Sequence, residues 1–324
     1  MEEIFRKLTT IIKKNDEFIF MTHRNMDLDG FGSALCMYSI IESFGKKGHI
    51  FINKEKNNKS IEKAFVRLKE GKLNIEYIDK TNYQKLIKKN CILIILDIHK
   101  IEMLEYPKML EKIDKIIVID HHVKSYNYIK NTALSYISTN YSSTNEMMTN
   151  YLKYLNKTVP PLIATMMLSG IEIDTNSFNV KTTPETYEAA SFLVKMGADN
   201  VIKQELLKES KAEFVRRQEF VKDSFMINET MAMCILDENI YEKKELATIA
   251  EELLQFDDIE ASFSIGKVGK NLIGVSARSI SKINVEEIMT KIGGGGHINQ
   301  AAAELKNTTI EEVKKSILQI ASQY

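Results

Sequence analysis

Four segments of this 324-residue chain run into residues that bind metal ions or move protons. The apolar run Phe18–Thr22 leads into His23, Asp27 and Asp29, spaced His-x3-Asp-x-Asp. Cys91–Leu96 (CILIIL) leads into Asp97, and Lys115–Ile119 (KIIVI) leads into Asp120-His121-His122. The apolar helix pattern Leu162–Ser169 leads into Gly170-Ile-Glu-Ile-Asp174. Carboxylates crowded into one crevice stay ionised only if cations neutralise them. Carboxylates and imidazoles without thiolates suit Mn²⁺, Mg²⁺, Fe²⁺ or Co²⁺ rather than structural Zn²⁺, and the imidazole content favours Mn²⁺. Two such ions about 3.5–4 Å apart, sharing a carboxylate, acidify a water and polarise a phosphoryl group. The chemistry expected is phosphoester hydrolysis.

Each piece has a plainer reading when taken alone. His23–Asp29 fits a loop and helix N-cap with Asp29 as the capping residue, and Asp97 fits a polar strand end. The order of the pieces, most of them directly after a strand pattern, carries the metal reading. His49, before a strand in Gly48-His-Ile, is read as structural.

The elements that must position these residues follow from hydrophobic pattern. Phe18–Thr22, His49–Asn53, Cys91–Leu96 and Lys115–Ile119 read as strands, with helices over Asp29–Phe44 and Ser60–Glu70. Continuous rather than alternating apolar runs fit a parallel sheet covered on both faces. The βαβ alternation implies an α/β, doubly wound, mainly parallel sheet. Sites in such sheets form beyond the carboxyl ends of strands, where the segments above would converge. Ser142 to about Asn200 is mostly helical, with Ser143-Thr-Asn-Glu146 at capping-box spacing. A charged helix over about Asn200–Asp223 looks like a connector. Strands at Met231–Leu236, Ala261–Val268 and Asn271–Ser276, and a helix at Val285–Lys291, make a second, smaller α/β domain. The expected division is 1–195, a connector at 196–225, and 226–324, with the active site in the cleft between the domains.

Composition narrows the partners. At roughly 100–200 residues per domain, the length fits two domains. The 44 basic residues balance the 44 acidic ones, whereas a chain that tracks long nucleic acid usually shows a basic excess. Three cysteines without paired spacing, Cys36, Cys91 and Cys234, argue for a reducing compartment. The N-terminus lacks a signal-peptide pattern, and the apolar runs fall far short of the roughly 20 residues that span a bilayer. A cytoplasmic protein without membrane contact is expected.

The residues also carry a family resemblance. Asp120-His121-His122, with His23-x3-Asp27-x-Asp29 upstream and Asp174-Thr175 downstream, resembles the DHH phosphoesterase superfamily, and Gly293-Gly-Gly-Gly-His297 resembles its accessory DHHA1 domain. Three stretches narrow the resemblance to the catalytic part of GdpP-type cyclic-di-AMP phosphodiesterases. They are Leu96-Asp-Ile-His-Lys100 with Glu105-Tyr-Pro107, Thr186-Tyr-Glu-Ala-Ala190 with Gly197-Ala-Asp199, and Gly274-Val-Ser-Ala-Arg-Ser279 with Gly293–Ala302. Members of that group carry membrane helices, a PAS domain and a degenerate GGDEF domain upstream. The expectation here is a stand-alone form or a fragment. Ile101-Glu102 replaces the group's Pro-Ser, and Lys181 stands where Arg is usual. Both changes concern substrate contacts rather than metal ligands.

The resemblance implies that His23, Asp27 and Asp97 hold one metal, that Asp29, Asp97, His121 and Asp174 hold a second, and that Asp97 bridges them. His122 would face the substrate phosphate, with His99 behind the ligands. Asp97, His121 and His122 would be the catalytic set. Ser276, Arg278, the glycine backbone through Gly294, Gly295 and Gly296, and His297 would cradle the substrate. An Arg fork and successive glycine N–H groups are apt anion binders. The implied activity is hydrolysis of cyclic di-AMP to linear pApA and on to AMP. Competing readings are a nanoRNase or 3′-phosphoadenosine-5′-phosphate phosphatase of the same superfamily and, from another class, a nucleotide sensor without catalysis. A cyclic or short linear dinucleotide is the expected partner, and a homodimer is compatible with each reading.

Overall fold

A computed structural model describes residues 1–53, 58–87, 91–124, 126–280 and 283–324. The chain divides into two units, Met1–Lys208 and Glu209–Tyr324.

The first unit runs α1 (Glu2–Lys14), β1 (Glu17–Met21), α2 (Leu28–Ser43), β2 (Lys47–Phe51), α3 (Lys59–Glu70), β3 (Tyr77–Ile78), β4 (Cys91–Leu96), β5 (Lys115–Asp120), β6 (Leu134–Ile137), α4 (Thr144–Leu155), α5 (Pro161–Asp174), α6 (Pro184–Lys195) and α7 (Asn200–Leu207). Its strands form one parallel sheet, ordered β3-β2-β1-β4-β5-β6. The chain winds outward from β1 to β3, returns to β4 beside β1, and winds outward the other way. The order therefore reverses between β1 and β4, and ligand crevices form at such a switch point. Every residue of β1 and β4 is buried. Ile92, Ile94 and Leu96 join the core on one face, and Cys91, Leu93 and Ile95 join the core on the other. β6 alternates buried and exposed side chains, as an edge strand does, and so gives no continuous apolar run to read.

α2 is buried on nearly all sides, its polar Asp29 and Ser33 included. α5 packs closely on it. A Cβ at Gly170 would lie 2.2 Å from Asn145 Nδ2 and 2.7 Å from both Asp29 Cα and Leu28 O. Only glycine lets the two helices approach this closely beside Asp29. α5 also runs further than its apolar stretch suggests, so Asp174 is its last residue.

The second unit runs α8 (Lys211–Lys222), β7 (Phe225–Met226), β8 (Met231–Ile240), α9 (Lys243–Leu253), β9 (Ala261–Gly269), β10 (Leu272–Ser279), α10 (Val285–Lys291), β11 (Gly295–His297), β12 (Gln300–Lys306) and α11 (Ile310–Ala321). Its mixed sheet is ordered β11-β12-β10-β9-β8-β7, with β8 and β9 parallel and the other pairs antiparallel. α10 and α11 cover one face, α8 and α9 the other. The single connector helix read from the pattern over Asn200–Asp223 is two helices. Lys208 leaves the helical region, and Ser210 starts α8 with a capping box to Glu213.

Candidate metal centre

The site is assembled at the carboxyl ends of β1, β4 and β5 and at the end of α5. β1 gives way to Thr22 and His23. Asp27 N-caps α2, accepting from the N–H groups of Asp29 at 3.0 Å and Gly30 at 3.1 Å. The cap is thus Asp27 and not Asp29. That cap sets the start of α2 so that Asp29, its second residue, is fully buried below the crevice. Asp97 follows β4 with a φ of 63°, the left-handed region that non-glycine residues rarely occupy. Its N–H still bonds to Ile119 O at 2.9 Å, so the turn re-aims the side chain without loosening the backbone. Such backbone is held where the surroundings over-determine it.

Three overlapping groups result: His23, Asp27 and Asp97; Asp29, His121 and Asp174; and Asp97, His121 and His122. Within each, one ligand atom per residue lies within 4.8 Å of the others. His23 Nε2 is 3.4 Å from Asp97 Oδ2 and 3.5 Å from Asp27 Oδ1. His121 Nε2 is 3.0 Å from Asp174 Oδ2, 3.5 Å from Asp97 Oδ1 and 4.0 Å from Asp29 Oδ2. Asp97 faces both imidazoles, one with each oxygen.

Two observations fit these residues to cations. His23 Nδ1 is 2.8 Å from Arg24 O. Donation there leaves Nε2 as the lone-pair nitrogen, turned toward two carboxylates. This is how a ligating imidazole is held. Second, both ring nitrogens of buried His121 lack a hydrogen-bond partner among the described residues. Its Nε2 is close to Asp174 but not aligned to donate to it. A buried polar atom left unpaired is costly. Here the unpaired nitrogen faces three carboxylates at distances that leave room for a cation.

The electrostatics agree. Burial, then the charge of Asp174, pushes the Asp29 carboxyl up to about 6. Burial, then Asp27, pushes Asp174 up to about 7. Burial, then Asp29, raises Asp97 well above the ordinary carboxylate range. Burial works against protonated His23, but hydrogen bonds to Asp27 and Asp97 outweigh it and push its pKa up to about 12. Without a cation the cluster takes up protons instead, as crowded buried carboxylates must.

Asp120 does not face the crevice, although it stands first in the Asp-His-His triplet. It is fully buried. Its Oδ2 bonds to His99 Nδ1, and its Oδ1 accepts from His122 N at 3.1 Å and lies 2.8 Å from His122 Nδ1. Burial would raise its pKa, but the bonds to His122 and His99 win and lower it. His122, about half exposed, is clamped at Nδ1 and leaves Nε2 unclaimed by Asp120. His49 bonds to Glu17 and Glu76 at 2.9 and 3.0 Å and takes no part in the centre.

Residues 17–171 match the family model described as DHH family, N-terminal domain, and residues 227–324 match that of the DHHA1 domain. The chain carries a DHH-family N-terminal domain followed by a DHHA1 domain. Cyclic-di-AMP phosphodiesterase GdpP of Geobacillus thermodenitrificans is similar at 33% identity over 99% of this chain and 49% of that protein. The chain spans about half the length of the GdpP- and PdeA-type relatives it matches. The bifunctional oligoribonuclease and PAP phosphatase NrnA of Mycoplasma genitalium is 24% identical over 96% of this chain and 93% of its own length. An exopolyphosphatase-related protein from Bacteroides fragilis shares the fold, with a TM-score of 0.77 at 20% identity over 98% of this chain and 96% of that one. No helix among the described residues is long and apolar enough to cross a membrane.

In the DHHA1 part, Ser276 and Arg278 sit two apart on β10 and so share a face. Arg278 donates from Nε to Glu251 at 2.9 Å and from a terminal nitrogen to Ser276 Oγ at 3.0 Å. Glu251, on α9, is a partner that no motif in the sequence marks. The four glycines do not form an open loop. Gly295–His297 is strand β11, paired with Gln300–Ala302. A Cβ at Gly294 would lie 2.3 Å from Ala302 O, so the close approach of the hairpin requires glycine there. A cavity of about 300 Å³ on this face is lined by Gly274, Ser276, Arg278, Gly295, Gly296 and Gln300 among others. His297 is exposed.

Proposed function

We propose that this chain is a two-metal phosphodiesterase acting on cyclic di-AMP, opening it to linear pApA and then cleaving that to AMP. The reading is carried by one observation: Asp97 is grouped with His23 and Asp27 on one side and with His121 on the other, so two cations held there would share a carboxylate. His23, Asp27 and Asp97 would hold one, and Asp29, Asp97, His121 and Asp174 the other, with Mn²⁺ favoured by the imidazole content. When bound, such a pair supplies Lewis acidity toward a phosphoryl oxygen and a water acidic enough to react near neutral pH.

The chain's own residues do the rest. Asp120 holds the His122 ring at Nδ1, and the ring, when it carries both protons, would donate from Nε2 to a phosphoryl oxygen. Asp97, held by its backbone, lies between the two imidazoles with one carboxylate oxygen toward each. Ser276, Arg278, Gly294, Gly295, Gly296 and His297 would grip the part of the dinucleotide that is not cleaved. The name and similarity of the GdpP relative support the cyclic substrate, and a cytoplasmic location follows from such a substrate.

A second reading has an observation of its own. The NrnA relative, named a bifunctional oligoribonuclease and PAP phosphatase, is similar over 96% of this chain. A short-oligoribonucleotide hydrolase or pAp phosphatase therefore stays in play, and the metal centre would serve it equally. Product analysis separates the two. The protein is incubated with Mn²⁺ and, separately, cyclic di-AMP, cyclic di-GMP, pApA and pAp, and the nucleotides are resolved. Conversion of cyclic di-AMP to pApA is expected. Intact cyclic di-AMP beside fast cleavage of pApA or pAp would establish the second reading instead.

A further inference from the structure

Thr144 opens α4 and is fully buried, and no motif in the sequence singles it out as functional. Its hydroxyl donates to Asp97 Oδ1 at 3.0 Å, and its backbone N–H donates to Asp29 Oδ2 at 2.7 Å. The next N–H, of Asn145, reaches Asp29 Oδ1 at 2.9 Å. The first turn of α4 therefore holds two of the carboxylates from behind.

This turn is itself pinned. Ser143 accepts from Glu146 N at 3.1 Å, half of the capping box its spacing suggests. The Glu146 carboxylate does not complete the box. Its Oε2 accepts instead from Ser142 N and Ser142 Oγ at 3.0 and 2.5 Å, and from Thr186 Oγ1, near the start of α6, at 2.9 Å. Asn145 Nδ2 donates to Leu28 O and Asp29 O, which ties the turn to α2. A hydroxyl on so fixed a platform has one orientation to offer.

We propose that Thr144 is a positioning residue for the metal centre: its hydroxyl fixes Asp97 so that each carboxylate oxygen faces a different imidazole. The inference rests on the two-metal reading above. A hydroxyl that donates to one lone pair of Oδ1 leaves the other lone pair for a cation and sets the rotation of the carboxylate. Partners of this kind behind a ligand are commonly worth about 10–100-fold in metal affinity or activity. Because Asp97 belongs to both cation groups, the loss should be felt at both.

The test is Mn²⁺ titration of metal-free protein by calorimetry, beside the melting temperature in chelator, for wild type and for Thr144→Ser, Thr144→Val and Thr144→Ala. If the hydroxyl positions Asp97, Ser binds Mn²⁺ like wild type, while Val and Ala bind about 10–100-fold more weakly at both sites. If Thr144 only fills space, Val is spared while Ser and Ala, which lack the methyl, lose stability with unchanged Mn²⁺ affinity. That pattern, or wild-type affinity throughout, overturns the proposal. Absence of Mn²⁺ binding by the wild type would sink the two-metal reading itself, which is a separate outcome. Ser and Val remove opposite halves of the side chain, so failure of one variant to fold still leaves a decisive comparison.

Discussion

Nε2 of His23 lies 3.4 Å from Oδ2 of Asp97, and without a cation both groups hold a proton more tightly than usual. That pair, with the raised carboxyls of Asp29 and Asp174, makes the stability of the metal-free protein depend on pH in one direction. A carboxyl whose folded pKa is raised binds more protons folded than unfolded, so it stabilises at low pH and loses that contribution as pH rises through the folded value. For Asp29 and Asp174 the window runs from the ordinary range near about 4 to about 6 and about 7. His23 adds the same sign, from about 6.5 up to about 12. In chelator, the melting temperature should fall from pH 5 to pH 8. Excess Mn²⁺ should raise it, and by more at pH 8, where protons no longer compete for the ligands. A melting temperature that climbs with pH in chelator would contradict this account.

Asp97→Asn keeps the shape of the side chain and removes the charge that both proposed cation groups share. Turnover should drop by more than about 100-fold, beyond what changes behind a ligand usually cost. Mn²⁺ should be lost from both sites rather than one, and the circular dichroism spectrum should match wild type. Loss of a single Mn²⁺ by titration would show that Asp97 serves one ion only.

Asp120→Asn probes a different layer. The carboxylate clamps His99 and His122 at their Nδ1 atoms, and an amide presents at most one acceptor to the pair. Turnover should fall about 10–100-fold, mainly in kcat, while Mn²⁺ affinity moves only a few-fold because Asp120 is not among the ligands. A large loss of Mn²⁺ affinity with kcat intact would instead place Asp120 in the metal centre.

These variants also separate what the sequence shows from what it hides. The parallel sheet was legible because β1 and β4 are buried on both faces and so read as unbroken apolar runs. The residues at the ends of those runs were legible for the same reason. The short β3, the alternating β6 and the alanine-rich β12 left no such trace, since edge and small-residue strands carry weak patterns. Asp120 was expected at the crevice with His121, yet strand alternation turns neighbouring side chains to opposite sides. Thr144 and Glu251 were invisible. Each acts through a contact 47 or 27 residues away along the chain, and no local spacing encodes that.

The Arg278 guanidinium is already held when no substrate is present, by Glu251 at Nε and by Ser276 at a terminal nitrogen. A guanidinium fixed in this way presents its other terminal nitrogen to a phosphate in one set direction, whereas lysine offers a mobile point charge. Arg278→Lys should therefore raise KM for the dinucleotide about tenfold, or about 1.4 kcal/mol, with kcat within a few-fold and Mn²⁺ affinity unchanged. Glu251→Gln should move KM the same way by less, because the guanidinium survives with a weaker anchor. If Arg278→Lys lowered kcat with KM intact, Arg278 would be acting in the transition state instead of gripping the ground-state substrate. The role assigned to the DHHA1 face would then have to shift from binding to chemistry.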